Sequence, residues 1–139
     1  MITLSKTHLS KIHDHAKVCY PEECCGAILG TMDGEQKLVS EVIEMDNISD
    51  ENKKRRFMIK PNEYQRVEKL ASEKGVNLLG FYHSHPDHPP IPSETDLKFA
   101  WPFFSYLILA IEKGEPMQLS SHVLDLNAGS FSEEDLLVN

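Results

Sequence analysis

The chain has 139 residues, enough for one ordinary domain, and its 40% apolar and 26% charged content is typical of a soluble globular protein. Its formal charge of −8 argues against nonspecific binding to nucleic acid, whose phosphates need a basic surface. Its most apolar stretch, residues 99–111, is shorter than the roughly 20 residues that span a bilayer. Three cysteines, two of them adjacent, and the lack of a signal-peptide pattern predict a cytoplasmic protein without disulfides.

The first half of the chain predicts a helix, a hairpin and a second helix. Asp33-Gly34 is a typical hairpin turn between two apolar runs. Pro61 suits the first turn of a helix, and Gly75 suits its end. In chain order the predicted elements are a helix over 5–17, a strand over 24–29 ended by Gly30, a strand over 37–45, a polar loop over 46–56, a short strand in "RFMIKP" and a helix over 61–74.

The second half predicts more strands than helices. In chain order we predict a strand over 78–85, a short helix over 93–100, strands over 106–112 and 118–126, and a tail over 130–139 that suits a strand or a short helix. Strands and helices follow each other without regular alternation. We therefore expect an α+β domain in which helices cover a mixed β-sheet.

The segment "FYHSHPDHPPIPSETD", residues 81–96, concentrates side chains that bind metals. His83 and His85 are two positions apart on a predicted strand, so both point to the same face of the sheet. Neutral imidazole is a preferred ligand of zinc, and a catalytic zinc site uses three protein ligands and one open position. Asp96, one turn into the next predicted helix, is a candidate for the third ligand.

A second metal signature overlaps with the first. His83-x-His85-x-Asp87-His88 matches the pattern of metallo-β-lactamase-like hydrolases, which usually hold two metals. That fold is typical of longer chains and needs further histidines downstream, where this chain has only His122. We therefore favour the pair with Asp96 over the pair with Asp87.

Several of these residues also have a purely structural interpretation. "SETD" at 93–96 suits a simple helix start, with Ser93 as the cap and Asp96 favoured by the helix dipole. His13 and His15 do not face each other on a helix. We expect the adjacent cysteines, Ser84 and Trp101 to serve packing or hydrogen bonding. We expect the same of His122, because a lone histidine on a strand is more often structural than functional.

The combined spacing resembles a known family. The segment 83–96 resembles the JAMM motif of the MPN (Mov34/PAD-1) metalloproteases. It begins with "HSHP" at 83–86, has seven residues between His85 and Ser93, and ends with "SETD" at 93–96. "PEECCG" at 21–26 resembles the family's upstream glutamate motif and places that glutamate at Glu23. "RFMIKP", with Asn47 before it, also resembles a family segment, and the resemblance is clearest over residues 1–126.

The resemblance implies a fold, a cofactor and roles for residues. The fold would be a single MPN-type (cytidine-deaminase-like) α+β domain over residues 1–139. One Zn²⁺ per chain would be held by His83, His85 and Asp96, with water in the fourth position. Glu23 would be the general base and proton donor, and Ser93 would donate a hydrogen bond to the developing oxyanion. Strand alternation allows only one of the two adjacent glutamates to face the metal.

The resemblance also implies a substrate. The chain lacks long insertions and is similar to the stand-alone prokaryotic members, so we expect a zinc metallopeptidase or isopeptidase. The bond that it hydrolyses would be the amide after the Gly-Gly tail of a ubiquitin-like protein of the sulfur-carrier type. Arg55 and Arg56 are candidate contacts to such an acidic carrier, and neither nucleic acid nor membrane is expected as a partner. The alternatives are a catalytically silent MPN scaffold and a metal hydrolase of another bond class.

Overall fold

The computed structural model describes residues 1–45, 61–98 and 100–139. Three helices occur in this part of the chain: α1 (Lys6–Cys19), α2 (Pro61–Glu73) and the short α3 (Glu94–Lys98). The strands are β1 (Ile2–Leu4), β2 (Cys25–Asp33), β3 (Gln36–Met45), β4 (Asn77–Pro86), β5 (Ser105–Glu112), β6 (Glu115–Asp125), β7 (Ser130–Glu134) and β8 (Leu136–Val138). No helix among the described residues is long and apolar enough to cross a bilayer.

The described strands form one mixed sheet in the order β7-β6-β5-β4-β2-β3-β1-β8. β4 pairs in parallel with β5, and β1 pairs in parallel with both β3 and β8, whereas the other neighbours are antiparallel. The edge strands β7 and β8 are separated in sequence by Asp135 alone, so the sheet curls until its two edges lie side by side. The C-terminal segment thereby joins the strand next to β6 to the strand next to β1.

Helices cover both faces of the sheet. α1 packs on one face over a large apolar cluster that contains Ile12, Ala16, Tyr82 and Leu109. α2 packs on the other face through Val67, over a smaller cluster that contains Phe81. β4 contributes to both clusters, although without strict alternation: Leu79 and Tyr82 belong to the large cluster and Phe81 to the smaller one. The α+β class and the mixed sheet covered by helices are confirmed.

Most predicted elements occur within a few residues of their expected bounds. α1 starts after Ser5, whose side chain accepts from the backbone N–H of His8 in a capping arrangement. α2 ends at Glu73, close to Gly75 with its φ of 69°. The C-terminal tail is strand rather than helix. β1 was not predicted, because its three residues carry too short a pattern and depend on pairing with β3 and β8.

The predicted end of β2 at Gly30 is wrong. β2 continues to Asp33, with a register irregularity at Leu29 and Gly30. A Cβ at Gly30 would lie 2.0 Å from the carbonyl oxygen of Leu38 on β3, so this glycine permits a close approach of two strands. A glycine in the sequence is compatible both with the end of a strand and with a close approach of two strands, so the sequence does not distinguish them. The predicted strand in "RFMIKP", Asn47, and the possible contacts of Arg55 and Arg56 lie outside the described residues.

Candidate metal centre

The two histidines of the "HSHP" segment lie side by side near the end of β4. His83 and His85 are each 1% exposed. They share the α2 face of the sheet, on the same side of β4 as Phe81, whose ring lies in the second apolar cluster. Tyr82 and Ser84 point to the α1 face: Tyr82 belongs to the large cluster, and Ser84 Oγ accepts from the backbone N–H of Cys24 at 2.9 Å. The predicted placement of His83 and His85 on one face of the sheet is therefore confirmed.

Asp96 reaches back from α3 to both imidazoles. His83 Nε2 lies 3.3 Å from Asp96 Oδ1, His85 Nε2 lies 3.2 Å from Asp96 Oδ2, and the two Nε2 atoms are 3.0 Å apart. Donor atoms about 2.0–2.2 Å from a tetrahedral zinc are separated from one another by about 3.3–3.5 Å. The three side chains therefore fit a single small cation that accepts two neutral imidazoles and one carboxylate.

The start of α3 holds Asp96 in place. The backbone N–H of Asp96 donates to Ser93 Oγ at 3.0 Å, and the backbone N–H of Ser93 donates to Asp96 Oδ2 at 2.8 Å. This reciprocal pair is a capping box, so the structural interpretation of "SETD" is confirmed. It does not compete with metal binding, because the same carboxylate also contacts both histidines. Ser93 Oγ accepts here, which leaves its hydroxyl proton available for another acceptor.

Glu23 lies just before β2 and is buried, with 2% of its surface exposed, whereas Glu22 is exposed. Cys25 pairs with His83 across β2 and β4, which brings the segment that carries Glu23 to the histidine end of β4. Burial and, to a lesser degree, the negative charge of Asp96 together raise the pKa of Glu23 to about 9. A cation bound beside it would act in the opposite direction and favour the carboxylate.

The pKa values of Asp96 and His83 shift in the opposite direction from that of Glu23. Burial raises the pKa of Asp96, but the charge that His83 carries when protonated and hydrogen bonds from His83 and the backbone N–H of Ser93 outweigh this and lower it. Burial lowers the pKa of His83 below its ordinary value, which favours the neutral ring that a metal requires. Asp96 is thus held as a carboxylate, while Glu23 is poised to carry a proton.

Two carboxylates compete for the place of third ligand. The donor atoms of Glu23, His83 and His85 all lie within 4.8 Å of one another, so this trio can also enclose a metal. Asp96 contacts both imidazoles at 3.2–3.3 Å. The donor set therefore contains four residues, of which the sequence assigned three to the metal and Glu23 to proton transfer.

Asp87 of the overlapping signature has other partners. Its Oδ2 accepts from the Tyr20 hydroxyl at 2.7 Å, and its Oδ1 accepts from the backbone N–H of Lys113 at 2.8 Å. Asp87 has a φ of 58°, in the left-handed region, which turns the chain sharply after β4. Both carboxylate oxygens thus serve the turn. This geometry argues against the metallo-β-lactamase-like signature, in which Asp87 would be a ligand.

The remaining histidines and cysteines have varied surroundings. The His88 ring stacks on His85 with centroids 4.2 Å apart. His15 Nδ1 lies 2.6 Å from the Tyr82 hydroxyl on the α1 face, away from the candidate centre. Cys24 and Cys25 are buried, as expected, and neither forms a disulfide. Trp101, expected to be a packing residue, is 49% exposed and packs edge-on against Tyr64 with ring centroids 4.8 Å apart.

Sequence reasoning missed the contacts that support His85. Its Nδ1 lies 2.8 Å from the carbonyl oxygen of Pro89, and Ser120 Oγ donates to the carbonyl oxygen of Pro90 at 2.9 Å. His122 Nε2 in turn lies 2.9 Å from Ser120 Oγ. The predicted strand over 118–126 contains both Ser120 and His122, but nothing in the sequence could show that this strand meets the proline loop.

A family profile described as prokaryotic homologs of the JAB domain matches residues 5–123 of the chain. The chain belongs to this JAB family. Among curated proteins, the JAB domain described here is 34% identical over 89 residues to Desampylase of Haloferax volcanii. The match covers 63% of this chain and spans 62% of the length of that relative.

Solved structures have the same fold as this JAB domain. A protein of Desulfitobacterium hafniense matches with a TM-score of 0.87 and 30% identity, over 100% of this chain and 93% of its own. A protein of Salinibacter ruber matches with a TM-score of 0.75 and 34% identity, over 99% of this chain and 91% of its own. A JAB1/MPN domain protein of Archaeoglobus fulgidus, at 20% identity and a TM-score of 0.62, covers 98% of this chain and 97% of its own and supports the fold alone.

Proposed function

We propose that this JAB domain is a zinc-dependent peptidase or isopeptidase that hydrolyses the amide bond after the Gly-Gly tail of a ubiquitin-like protein. The observation that carries the proposal is the contact of Asp96 with both His83 and His85, beside a buried Glu23. Family membership and the relative named Desampylase support hydrolysis and a ubiquitin-like partner. Zinc, the sulfur-carrier type of partner and the cytoplasmic location remain predictions from the sequence.

The donor set suits zinc more than a harder cation. Two imidazoles and one carboxylate are typical of catalytic zinc sites, whereas magnesium and calcium prefer oxygen ligands alone. His85 Nδ1 faces a carbonyl oxygen, which can only accept, so the ring proton lies on Nδ1 and Nε2 keeps its lone pair. When bound, zinc supplies Lewis-acid chemistry: it lowers the pKa of a coordinated water toward neutrality and polarises a carbonyl.

The residues of the chain supply proton transfer and charge stabilisation. Glu23 would take a proton from the attacking water as a carboxylate, the form that a bound cation favours, and would then deliver it to the leaving amine from the protonated form that burial favours. Ser93 donates its free hydroxyl proton to the carbonyl oxygen of the substrate as negative charge develops there. The backbone N–H of Asp96 holds the Ser93 oxygen from behind, so the hydroxyl needs little reorganisation.

The burial of the centre supports a substrate with a slim tail. His83, His85 and Glu23 are all at most 2% exposed, so a scissile carbonyl must approach along an extended segment with little side-chain bulk. Glycine has no Cβ and permits the closest approach of a peptide backbone to buried groups. A Gly-Gly tail of a ubiquitin-like protein meets this requirement.

The first test is the metal content of the purified protein and of two aspartate variants. We expect one zinc per chain in the unaltered protein, loss of that zinc in Asp96→Ala, and retention in Asp87→Ala, because Asp87 already serves Tyr20 and Lys113. Elemental analysis by mass spectrometry measures all three proteins after identical dialysis. Two metals per chain, or loss of the metal in Asp87→Ala instead of Asp96→Ala, would support the metallo-β-lactamase-like interpretation.

The second test is cleavage. A ubiquitin-like protein with Gly-Gly followed by a short labelled peptide should be cut after the second glycine, and the same fusion with Ala-Ala at these positions should resist. Zinc binding without cleavage of any Gly-Gly fusion would point to a scaffold or to another bond class. Absence of metal from all three proteins would contradict the proposed mechanism itself.

A further inference from the structure

The loop between β4 and α3 is held by its carbonyl oxygens. Pro89 and Pro90 have no backbone N–H, so their main chain can be anchored only through hydrogen bonds that the carbonyls accept. The Pro89 oxygen accepts from His85 Nδ1 at 2.8 Å and from the Ile91 N–H at 2.8 Å. The Pro90 oxygen accepts from Ser120 Oγ on β6 at 2.9 Å. Two adjacent carbonyls thus join a candidate metal ligand to a strand two places away in the sheet.

The proton positions along this network are fixed by chemistry. A carbonyl oxygen only accepts, so the hydroxyl of Ser120 donates its single proton to Pro90. The ring nitrogen Nε2 of His122, 2.9 Å from the same hydroxyl oxygen, must therefore carry a proton and donate it to Ser120. The order of donation is His122 to Ser120 to Pro90, and His85 donates separately to Pro89.

Ser120 and His122 lie on the site face of the sheet. In the strand register His83 pairs with Ile108 of β5, and Ile108 pairs with Ser120 of β6, so the three residues form one row. Ser120 is 6% exposed and His122 is 8% exposed. The neighbouring Ser121 faces the other side, where its hydroxyl donates to Glu134 Oε1 at 2.8 Å.

We propose that Ser120 and His122 are positioning residues of the metal centre, which hold the Pro89–Pro90 segment and thereby fix the ring of His85 with Nε2 toward His83 and Asp96. The inference rests on the proposed function, because it treats Nε2 of His85 as a metal donor. Groups behind a ligating histidine set its tautomer and ring orientation, and their loss typically lowers metal affinity about 10–100-fold. Ser120 acts through one further residue, so the lower end of that range applies.

The experiment compares two serine variants that each remove one buried hydroxyl from β6. Ser120→Ala breaks the bond to the proline loop, and Ser121→Ala breaks the bond to Glu134 on the opposite face. His122→Phe removes the hydrogen-bond donor to Ser120 but keeps an aromatic ring. Ser120→Thr keeps a hydroxyl at position 120. Correlation spectra of the folded proteins establish that each variant keeps the fold before any comparison is made.

The first readout is the His85 ring in the metal-free protein. Nitrogen-15 NMR at about pH 8, above the ordinary histidine pKa, identifies the ring tautomer and the exchange rate of the Nδ1 proton. In the unaltered protein we expect a single tautomer with a protected Nδ1 proton. Ser120→Ala should accelerate the exchange of this proton about 10-fold or mix the tautomers, His122→Phe should do so less, and Ser121→Ala should have no effect.

The second readout is zinc affinity, measured by competition with a chelator. We expect Ser120→Ala to bind zinc about 10-fold more weakly, His122→Phe to show a smaller loss, and Ser120→Thr and Ser121→Ala to remain close to the unaltered protein. Equal effects of Ser120→Ala and Ser121→Ala on both readouts would overturn the inference, because Ser120 would then be an ordinary core hydrogen bond.

The two proposals can fail separately. If the unaltered protein binds no zinc, the proposed function is wrong, while the exchange rate of the His85 Nδ1 proton still decides whether Ser120 holds the ring. If zinc binds and Ser120→Ala changes neither affinity nor exchange, the function stands and the positioning role is wrong.

Discussion

Glu22 and Glu23 are chemically identical neighbours with opposite surroundings. Glu23 is 2% exposed and lies with His83 and His85, whereas Glu22 is exposed to solvent. The next residues explain the difference, since Cys25 belongs to the cluster under α2 and Cys24 to the cluster under α1. Alternation before β2 therefore assigns one glutamate to the site, as the sequence predicted.

The pair provides a matched test of proton transfer. We expect Glu23→Gln to lower the cleavage rate about 10²–10⁴-fold with zinc retained, because Gln cannot carry the proton. Glu22→Gln removes the same charge one residue away and should leave the rate unchanged. Steady-state cleavage of the Gly-Gly fusion and metal content are measured on the same preparations. Loss of zinc from Glu23→Gln would make Glu23 a ligand, and full activity would contradict its role as base.

His83, His85, Ser93 and Asp96 each have a local signal in the sequence, whereas Glu23 was assigned through the family resemblance. Two histidines two apart on a strand share a face, and Ser93 and Asp96 have the spacing of a helix start. The network behind His85 has no such signal, since it joins carbonyls of a loop to side chains 30 residues away. A contact that depends on how a loop lies across a sheet cannot be derived from local periodicity.

At the scale of elements, the parallel pairing of β4 with β5 depends on Gly80. A Cβ at this position would lie 1.8 Å from the carbonyl oxygen of Ser105, which is the residue paired with Gly80. The obstacle is backbone, which cannot move aside as the end of a side chain can. β4 carries both histidines, so the close approach at Gly80 also sets where the candidate centre stands in the sheet.

We expect Gly80→Ala to destabilise the fold by about 3 kcal/mol or more, because β4 and β5 must separate to admit the methyl group. Gly75→Ala is the comparison: its φ is 69°, but nothing lies within 4 Å of the added Cβ, so the cost should be about 1 kcal/mol. Urea unfolding followed by circular dichroism measures both changes. A smaller loss in Gly80→Ala than in Gly75→Ala would contradict this account of the strand pair.

At the scale of the whole molecule, a buried ion pair lies where the curled sheet brings its ends together. Lys37 of β3 lies 3.1 Å from Glu134 of β7, and both are largely buried. Ser105 and Ser121 donate to the other oxygen of the same carboxylate at 2.7 and 2.8 Å. Four strands, β3, β5, β6 and β7, are thus joined by side chains on the α1 face.

The pKa of Glu134 determines the pH range in which this network contributes. Burial raises that pKa, but hydrogen bonds from Ser105 and Ser121 and the charge of Lys37 outweigh burial and lower it below the ordinary 4.5. A carboxyl with a lowered folded pKa stabilises the fold fully above its unfolded pKa. This contribution is lost as the pH falls from about 4.5 through the folded value.

We expect Glu134→Gln to cost about 2–3 kcal/mol of unfolding free energy at neutral pH, because Lys37 would keep a buried charge without its counter-charge. The difference from the unaltered protein should shrink as the pH falls below about 4.5. Glu133→Gln, an exposed neighbour, is the control and should cost little. Unfolding free energies measured from pH 7 to pH 3 provide the test, and a difference that stays constant with pH would contradict it.

The sequence by itself determined the class of the fold and most element positions, because periodicity and spacing are local properties, and its resemblance to the JAMM motif led to His83, His85, Asp96 and Glu23 as expected site residues. Only the tertiary structure decided the closure of the sheet by β1, β7 and β8, the continuation of β2 past Gly30, and the hold of Ser120 and His122 on the proline loop. These features depend on pairings between distant segments. Their energies come from close approach and buried hydrogen bonds, which exist only once the sheet has curled.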